Sequence, residues 1–178
     1  QLAPGQGANI NKSYKVGAGK RATVFVEREV GAEKDVSVML TSSDDFLAER
    51  PMYFNYQSVW SGGHCVIGAT SQGTAWFFAE GYTGAGFEEW LCIQNPGAAD
   101  AKATITYYPQ GGGAPIVKDP ITVAANSRHT VFVNSDAGEG LSICATVASD
   151  KPVIVERPMY FNFDGIWTGG SDVVGYQP

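Results

Sequence analysis

The chain has 178 residues, enough for one mid-sized domain or two small ones with cores of their own. Its net charge of −6, carried by singly scattered lysines and arginines, argues against nucleic-acid binding, and no apolar run approaches the about 20 residues that span a bilayer. With 22 glycines, 17% charged residues and many threonines, valines and aromatics, the composition predicts an all-β protein that is secreted, extracellular or on the cell surface.

The first 71 residues return at the end of the chain. A shift of 107 positions superimposes residues 1–71 on 108–178 without a gap, whereas residues 72–107 have no counterpart. We therefore expect an incomplete β-sandwich repeat over 1–71, holding only a back half, followed by a complete repeat over 72–178. The clearest matches are TVFV at Thr23 and Thr130, ERPMYFN at Glu49 and Glu156, and Gly-Gly at Gly62 and Gly169.

Short strand-like stretches bounded by glycine, asparagine and proline follow one another in the complete repeat. A unit of about 107 residues with seven or eight such stretches predicts an antiparallel, immunoglobulin-like β-sandwich. The predicted strands are 74–80, 88–94, 103–108, 116–123, 129–134, 141–148, 153–161 and 172–175.

The repeated heptad indicates a structural corner of the module, because an enzyme rarely needs two copies of an active site. Its glutamate and arginine are neighbours on a strand and point to opposite faces, so we expect each to pair across to another strand or loop. Its proline cannot donate to a ladder and predicts an edge position or a bulge. Of the next two rings, one should fill the core and the other cover a loop or a neighbouring module. The signature residues are Glu49, Arg50, Pro51, Tyr53 and Trp60, with Glu156, Arg157, Pro158, Tyr160 and Trp167.

The aromatic residues of the unique segment allow two interpretations. Trp76, Tyr82 and Trp90 can fill the interior of a small sandwich, which is the usual use of large rings. Exposed and coplanar, they would instead form a stacking platform for glycans.

Three cysteines, Cys65, Cys92 and Cys144, permit at most one disulfide within the chain. The third thiol would be buried, free or paired between chains. His64 and Cys65 have no further ligands at metal-binding spacing, so we expect no bound metal and no cofactor.

No nucleophile motif, phosphate loop or catalytic triad order is present, and we expect no enzymatic activity. The enzyme alternative would need Glu88, Glu89 or Glu156 as acids, with two carboxylates facing each other across one cleft.

The run AWFFAEGYTGAGFEEWLCIQNPG, followed by SRHTVFVN, ERPMYFN, a WTGG segment and VVG, resembles a repeated domain of unknown function. That domain occurs in large secreted or surface proteins of Gram-positive bacteria, notably actinobacteria and clostridia. The resemblance covers essentially the whole chain. It implies tandem surface modules without an assigned activity, and it transfers no catalytic residue.

The half-repeat has a consequence for assembly. Four or so strands in residues 9–55 would lack partners and expose an apolar face and a sheet edge. A strand donated by a neighbouring copy would link chains head to tail, or both back halves could pack on the single front half. We therefore expect a structural or adhesive surface module that self-assembles into a filament or array with other copies or adjacent repeats. The alternative is a carbohydrate-binding module whose partners are cell-surface glycans.

Overall fold

The computed structural model describes all 178 residues, and the complete repeat is an antiparallel β-sandwich, as predicted. Its elements are β3 (Gly73–Tyr82), β4 (Phe87–Asn95), β5 (Ala101–Pro109), β6 (Ile116–Val117), β7 (Ile121–Val123), β8 (Ser127–Phe132), α2 (Val133–Ala137), β9 (Ser142–Phe163) and β10 (Trp167–Val174). The preceding residues contribute α1 (Val26–Val30), β1 (Glu49–Tyr56) and β2 (Trp60–Ile67). The helices α1 and α2 have five residues each, too short for a membrane crossing.

One long strand, β9, belongs to both sheets. Its first part, residues 142–149, pairs with β3 and β5, and β5 also pairs with β6 and β7. Its last part, residues 154–163, pairs with β4 and β10, and β4 pairs with β8. The predicted break between strands 141–148 and 153–161 is not formed. Pro152, which suggested it, lies where β9 passes between the sheets and has no ladder partner, so its missing N–H leaves no gap.

Other strand boundaries also differ from those predicted. The stretch 116–123 is divided into β6 and β7. The Lys118 N–H still bonds the Ile105 carbonyl in the register of β6, but the pairing stops after it, before Pro120, which cannot donate. The stretch 129–134 ends at Phe132, where α2 begins. The last strand, β10, is longer than predicted, because residues 167–171 also pair with the end of β9. Its glycines hid the strand pattern in the sequence.

The two heptad prolines occupy different positions. Pro51 lies on β1, which pairs only with β2 and is therefore an edge strand, as predicted. Pro158 lies on the central strand β9, without an edge or a bulge. The ladder to β4 keeps one register on both sides of this proline, with Met159 opposite Glu89 and Glu156 opposite Cys92, and is open between them. This opening accommodates the missing N–H.

The hydrophobic core lies entirely within the complete repeat. None of its 15 buried residues comes from 1–71, although Ala69 packs against it, so the first back half builds no core of its own on the single front half. The core residues are Trp76, Phe78, Leu91, Ile93, Ala101, Ala103, Ile105, Tyr107, Val123, Val133, Ile143, Ala145, Val147, Val153 and Val155.

The incomplete repeat does not form the four strands expected over residues 9–55, where β1 is the only strand. The two copies show why. Val16 is 53% exposed whereas its equivalent Val123 is 0% exposed, and Leu40 is 56% exposed whereas its equivalent Val147 is 1% exposed. The equivalents pack on strands built from 72–107, which the first copy lacks. Strands need partners across the ladder, whereas helix bonds are local, so α1 forms at the position equivalent to α2.

A short N-terminal segment nevertheless docks on the sandwich, where β8 begins. Leu2 is buried and bridges to Val36, and the Ser127 hydroxyl donates to the Leu2 carbonyl at 3.1 Å. Arg128 donates to the Val36 carbonyl at 3.3 Å. The incomplete repeat is also attached through the β1–β2 hairpin and through its last residues, where Ala69 packs against the core and the Ser71 hydroxyl donates to Gln177 Oε1 at 3.0 Å.

Candidate functional site

The most extensive contact between the two copies joins two equivalent β-hairpins. Hairpin 1 is β1 and β2, residues 49–67, and hairpin 2 is the end of β9 with β10, residues 156–174. The two turns match, with left-handed residues at Gln57 and Ser58 in one and at Asp164 and Gly165 in the other. No ladder joins the hairpins, so they meet face to face.

Alternation along the strands gives each hairpin two faces. We call the face of hairpin 1 with Arg50, Met52 and Phe54 its inner face, and the face with Glu49, Pro51 and Tyr53 its outer face. In hairpin 2 the equivalent inner face turns to its own sandwich, where Phe161 stacks on Phe87 at 5.6 Å. The inner face of hairpin 1 lies on the outer face of hairpin 2, so two non-equivalent surfaces meet.

Glycine pairs allow this close approach. A Cβ on Gly62 would lie 3.0 Å from the Gly169 Cα and 3.0 Å from the Phe54 ring. A Cβ on Gly170 would lie 2.9 Å from both the Phe54 and Tyr160 rings. Larger residues at Gly62 and Gly170 would separate the hairpins, whereas a Cβ on Gly63 or Gly169 would meet the Tyr53 or Phe161 ring of its own hairpin.

An ionic cluster fixes one end of the interface. The Arg50 guanidinium donates to Glu156 Oε2 at 3.1 Å and to Asp172 Oδ2. The Asp172 side chain is 1% exposed. Burial raises the pKa of Glu156 and of Asp172 although the charge of Arg50 opposes both shifts, and the Asp172 carboxylate raises the pKa of Glu156 further. Arg50 is therefore the positive charge that makes this pair of acids tolerable.

Aromatic packing forms the other end. Phe54 meets Tyr160 edge to face at 5.0 Å, and the His64 ring lies 6.0 Å from Tyr160. Burial raises the pKa of Tyr160 to about 12, and burial together with Arg50 lowers that of His64. Cys65 is exposed on the opposite face of β2, so His64 and Cys65 do not converge on one point. The arrangement suits recognition between protein segments.

The equivalent signature residues have different partners in the two copies. Arg157 is buried within its own sandwich and donates to the Glu80 carbonyl, whereas Arg50 reaches across to the other copy. Glu49 is exposed, whereas Glu156 forms an ion pair with Arg50. Tyr53 is 84% exposed and Tyr160 is covered.

The three candidate glycan-stacking residues do not form a common platform. Trp76 is 2% exposed and belongs to the core, with its indole N–H donating to the Gly73 and Val153 carbonyls at 3.2 and 3.1 Å, so it is not a stacking surface. Tyr82 lies edge to face with Phe87, and Trp90 packs against Phe132.

A different tryptophan, Trp60, lines an open cleft of about 240 Å³ where hairpin 1 meets the sandwich. Phe87 and Phe132 contribute further rings, and Glu88 and Glu139 contribute carboxylates. Its walls include the loop 83–86 and Asn134. Trp167, the equivalent of Trp60, is 67% exposed and lies outside this cleft.

The cysteines are not linked. Cys65, Cys92 and Cys144 are all free thiols, so none of the candidate disulfides is formed. Burial raises the pKa of the Cys92 thiol, which disfavours the reactive thiolate.

Sequence reasoning missed several interface residues. Asp172 was hidden because Cys65 stands at its equivalent position, so it is absent from the repeated signature. Phe54 was noted only as one ring of a pair. The repeated glycines at Gly62 and Gly169 carried the signal, because adjacent residues without side chains in both copies indicate a close approach.

No protein family and no curated protein matches the chain. Among solved structures, it is similar to the crystal structure of Thermotoga maritima 1070, with 20% identity and a TM-score of 0.55 over 60% of this chain and 96% of that chain. It also matches the Anabaena sensory rhodopsin transducer, with 29% identity and a TM-score of 0.43 over 50% of this chain and 99% of that chain. The first likeness concerns the fold alone, and the second is too distant in structure to support an argument.

Proposed function

We propose that the protein is a non-enzymatic structural or adhesive module of the bacterial cell surface, which assembles with other copies or with adjacent repeats. The observation that carries this proposal is the unfilled first repeat. Apolar side chains whose equivalents are buried in the second copy remain exposed in the first, as with Leu40 and Val147. Such a surface favours association with complementary strands.

The hairpin contact supports the same function. It buries an arginine–carboxylate cluster and an aromatic pair between two copies of one repeated segment. Its two surfaces are non-equivalent, which favours head-to-tail association over closed dimers. Front-half strands of an adjacent repeat would complete residues 10–48 in the way that β3, β4 and β5 complete the second copy, since the single front half of each chain is already used by its own sandwich.

Light scattering and electron microscopy of the purified chain over a range of concentrations test this function. We expect Leu40→Asp to lower the mass of the assemblies, because it places a charge on the exposed apolar surface. The stability of the sandwich should change by less than about 0.5 kcal/mol, since Leu40 is 56% exposed. Val147→Asp is the matched control and should unfold the sandwich by burying a charge. A strictly monomeric wild-type chain at high concentration would refute the proposal.

The second candidate function is carbohydrate binding, which the cleft beside Trp60 favours. Its rings and carboxylates are the groups that stack on sugar faces and accept their hydroxyls. On a glycan array, Trp60→Ala should weaken any specific binding by up to about tenfold, because an aromatic contact is worth about 1 kcal/mol. Trp167→Ala, at the equivalent position outside the cleft, should leave it unchanged. An array without specific binding would remove this candidate.

A further inference from the structure

Hairpin 1 is docked through one face and open on the other. Its outer face presents Glu49, Pro51 and Tyr53 on β1, and opposite them Cys65 and Ile67 on β2. Tyr53 is 84% exposed and Ile67 is 63% exposed, so this face has apolar surface without a partner.

The repeat indicates what covers such a face. Position by position, the outer face of hairpin 1 corresponds to the outer face of hairpin 2, which is occupied. There Pro158 is buried, and the Phe54 ring packs on Tyr160 with 5.0 Å between the ring centres. The Arg50 guanidinium donates to Glu156 Oε2 at 3.1 Å. The occupant is a β-hairpin with arginine, methionine and phenylalanine at alternate positions and a glycine opposite the phenylalanine.

We propose that the outer face of hairpin 1 is a docking site for a further β-hairpin of this kind, namely hairpin 1 of a second copy of the chain, which exchanges from its own hairpin 2 because the inner face of hairpin 2 is packed on its own sandwich. This proposal rests on the proposed function and names the partner of one surface. Glu49 would pair with the incoming guanidinium as Glu156 pairs with Arg50, and the incoming phenylalanine would pack on Tyr53 as Phe54 packs on Tyr160. Gly63 provides the space that Gly170 provides in the interface already formed.

The new site differs from the formed interface at one position. Cys65 stands where Asp172 supplies the second carboxylate, so an incoming arginine meets one acid there. Cys65→Asp is therefore expected to strengthen docking about tenfold, because a charge-assisted bond is worth about 1.5 kcal/mol or more. Each added hairpin in turn presents its own outer face, so docking continues in one direction.

The test adds a backbone-cyclised peptide of residues 49–67 to the isotopically labelled, unmodified chain and follows binding by NMR. Cross-strand contacts in the peptide's own spectrum establish that it is a hairpin. We expect shift changes centred on Glu49, Tyr53 and Ile67. Tyr53→Ala in the chain should weaken binding about tenfold, and Arg50→Ala in the peptide should weaken it similarly. The chain's own interface stays intact in both tests, because Tyr53 lies outside it and the Arg50 substitution is confined to the peptide.

Shift changes confined to Tyr160 and Asp172 would mean that the peptide displaces hairpin 1 from hairpin 2. That result would overturn the outer-face site while leaving assembly through the known interface intact. A folded peptide that causes no change would also overturn it. Because light scattering is recorded on the chain alone, failure of assembly and failure of this docking site are separate results.

A fusion protein provides the test if the free peptide does not form a β-hairpin. Residues 49–67 are fused ahead of Gln1 through a flexible linker, which raises the effective concentration of the added hairpin. Docking predicts that Tyr53→Ala in the original hairpin lowers the unfolding midpoint of the fused chain but leaves that of the unfused chain unchanged. Equal effects in the two chains would overturn the proposal.

Discussion

Replacing Trp76 by alanine is expected to destabilise the sandwich by about 3–5 kcal/mol, the range for removing a large buried aromatic side chain. The side chain is 2% exposed, and its N–H satisfies two backbone carbonyls at the start of β3 and in the middle of β9. Urea unfolding measures the loss. Trp76→Phe keeps most of the ring volume but removes the donor, so it should give a smaller loss.

The matched control for this prediction is Trp167→Ala, which removes a tryptophan that is 67% exposed and should change stability by less than about 0.5 kcal/mol. Similar losses for the two variants would contradict the core assignment of Trp76. If a glycan binds the protein, Trp76→Ala should weaken that binding only through unfolding. The folded fraction of the variant should bind the glycan as the wild type does.

Stability is expected to fall as the pH rises, and Glu89 is the principal cause. The residue is 1% exposed, and burial raises the pKa of its carboxyl to about 7, although the charge of Arg157 and the backbone N–H of Tyr82 oppose the shift. Below the unfolded pKa of about 4.5, both states hold the proton and there is no penalty. Between the two values the unfolded chain releases its proton first, so stability is lost until the pH exceeds about 7.

The full loss amounts to roughly 3 kcal/mol, since each pKa unit is worth about 1.4 kcal/mol. Glu89→Gln should remove this part of the pH dependence, giving a more stable protein at pH of about 8 and little change at pH of about 4. Urea midpoints recorded across that range for both proteins isolate Glu89 from the other acids. Glu139→Gln removes one exposed charge and serves as the control. Parallel curves for wild type and Glu89→Gln would contradict the prediction.

The fold of the complete repeat could be predicted because its strands carry their pattern locally. In β5 the alternating residues Ala103, Ile105 and Tyr107 are all buried to within 1%, as half-buried alternation requires. The boundary at Pro152 failed because this proline suggested a stop, and Pro158, inside the predicted strand 153–161, suggested an edge or a bulge that is not formed. Both prolines lie within β9, because Pro152 has no ladder partner and the ladder to β4 is open at Pro158, which pairs only with Asp172 of β10. Where a ladder opens is a property of the assembled sheets.

The incomplete repeat shows what local sequence cannot decide. The first three residues of the segment TVFV lie in β8 in the second copy, but the same residues from Thr23 form no strand in the first. The letters are the same and the partner β4 is missing, so strand formation depended on pairing and not on propensity. The helices α1 and α2 were missed for the opposite reason, since five residues are too few to show a helical period.

The candidate site was only partly predictable for a similar reason. The heptad and the glycine pairs marked hairpins that recur, but nothing in one copy indicates that its inner face docks on the outer face of the other. Asp172 belongs to the site but differs from its equivalent Cys65, so the repeated signature did not contain it. Trp60 lines the cleft only because hairpin 1 is docked on the sandwich. Both features depend on the contact between the two copies, and the sequence of one copy does not reveal that contact.

The shared strand β9 also determines how the protein resists pulling. Its 22 residues extend for about 70 Å and connect hairpin 2 covalently to the middle of both sheets. Because ladder hydrogen bonds run across the strands, tension applied at hairpin 2 along β9 loads the bonds to its neighbours in shear and all at once. Tension across the ladder between β1 and β2 would instead open that pair one bond after another. A chain of such units would therefore yield at its hairpin contacts while each sandwich remains folded.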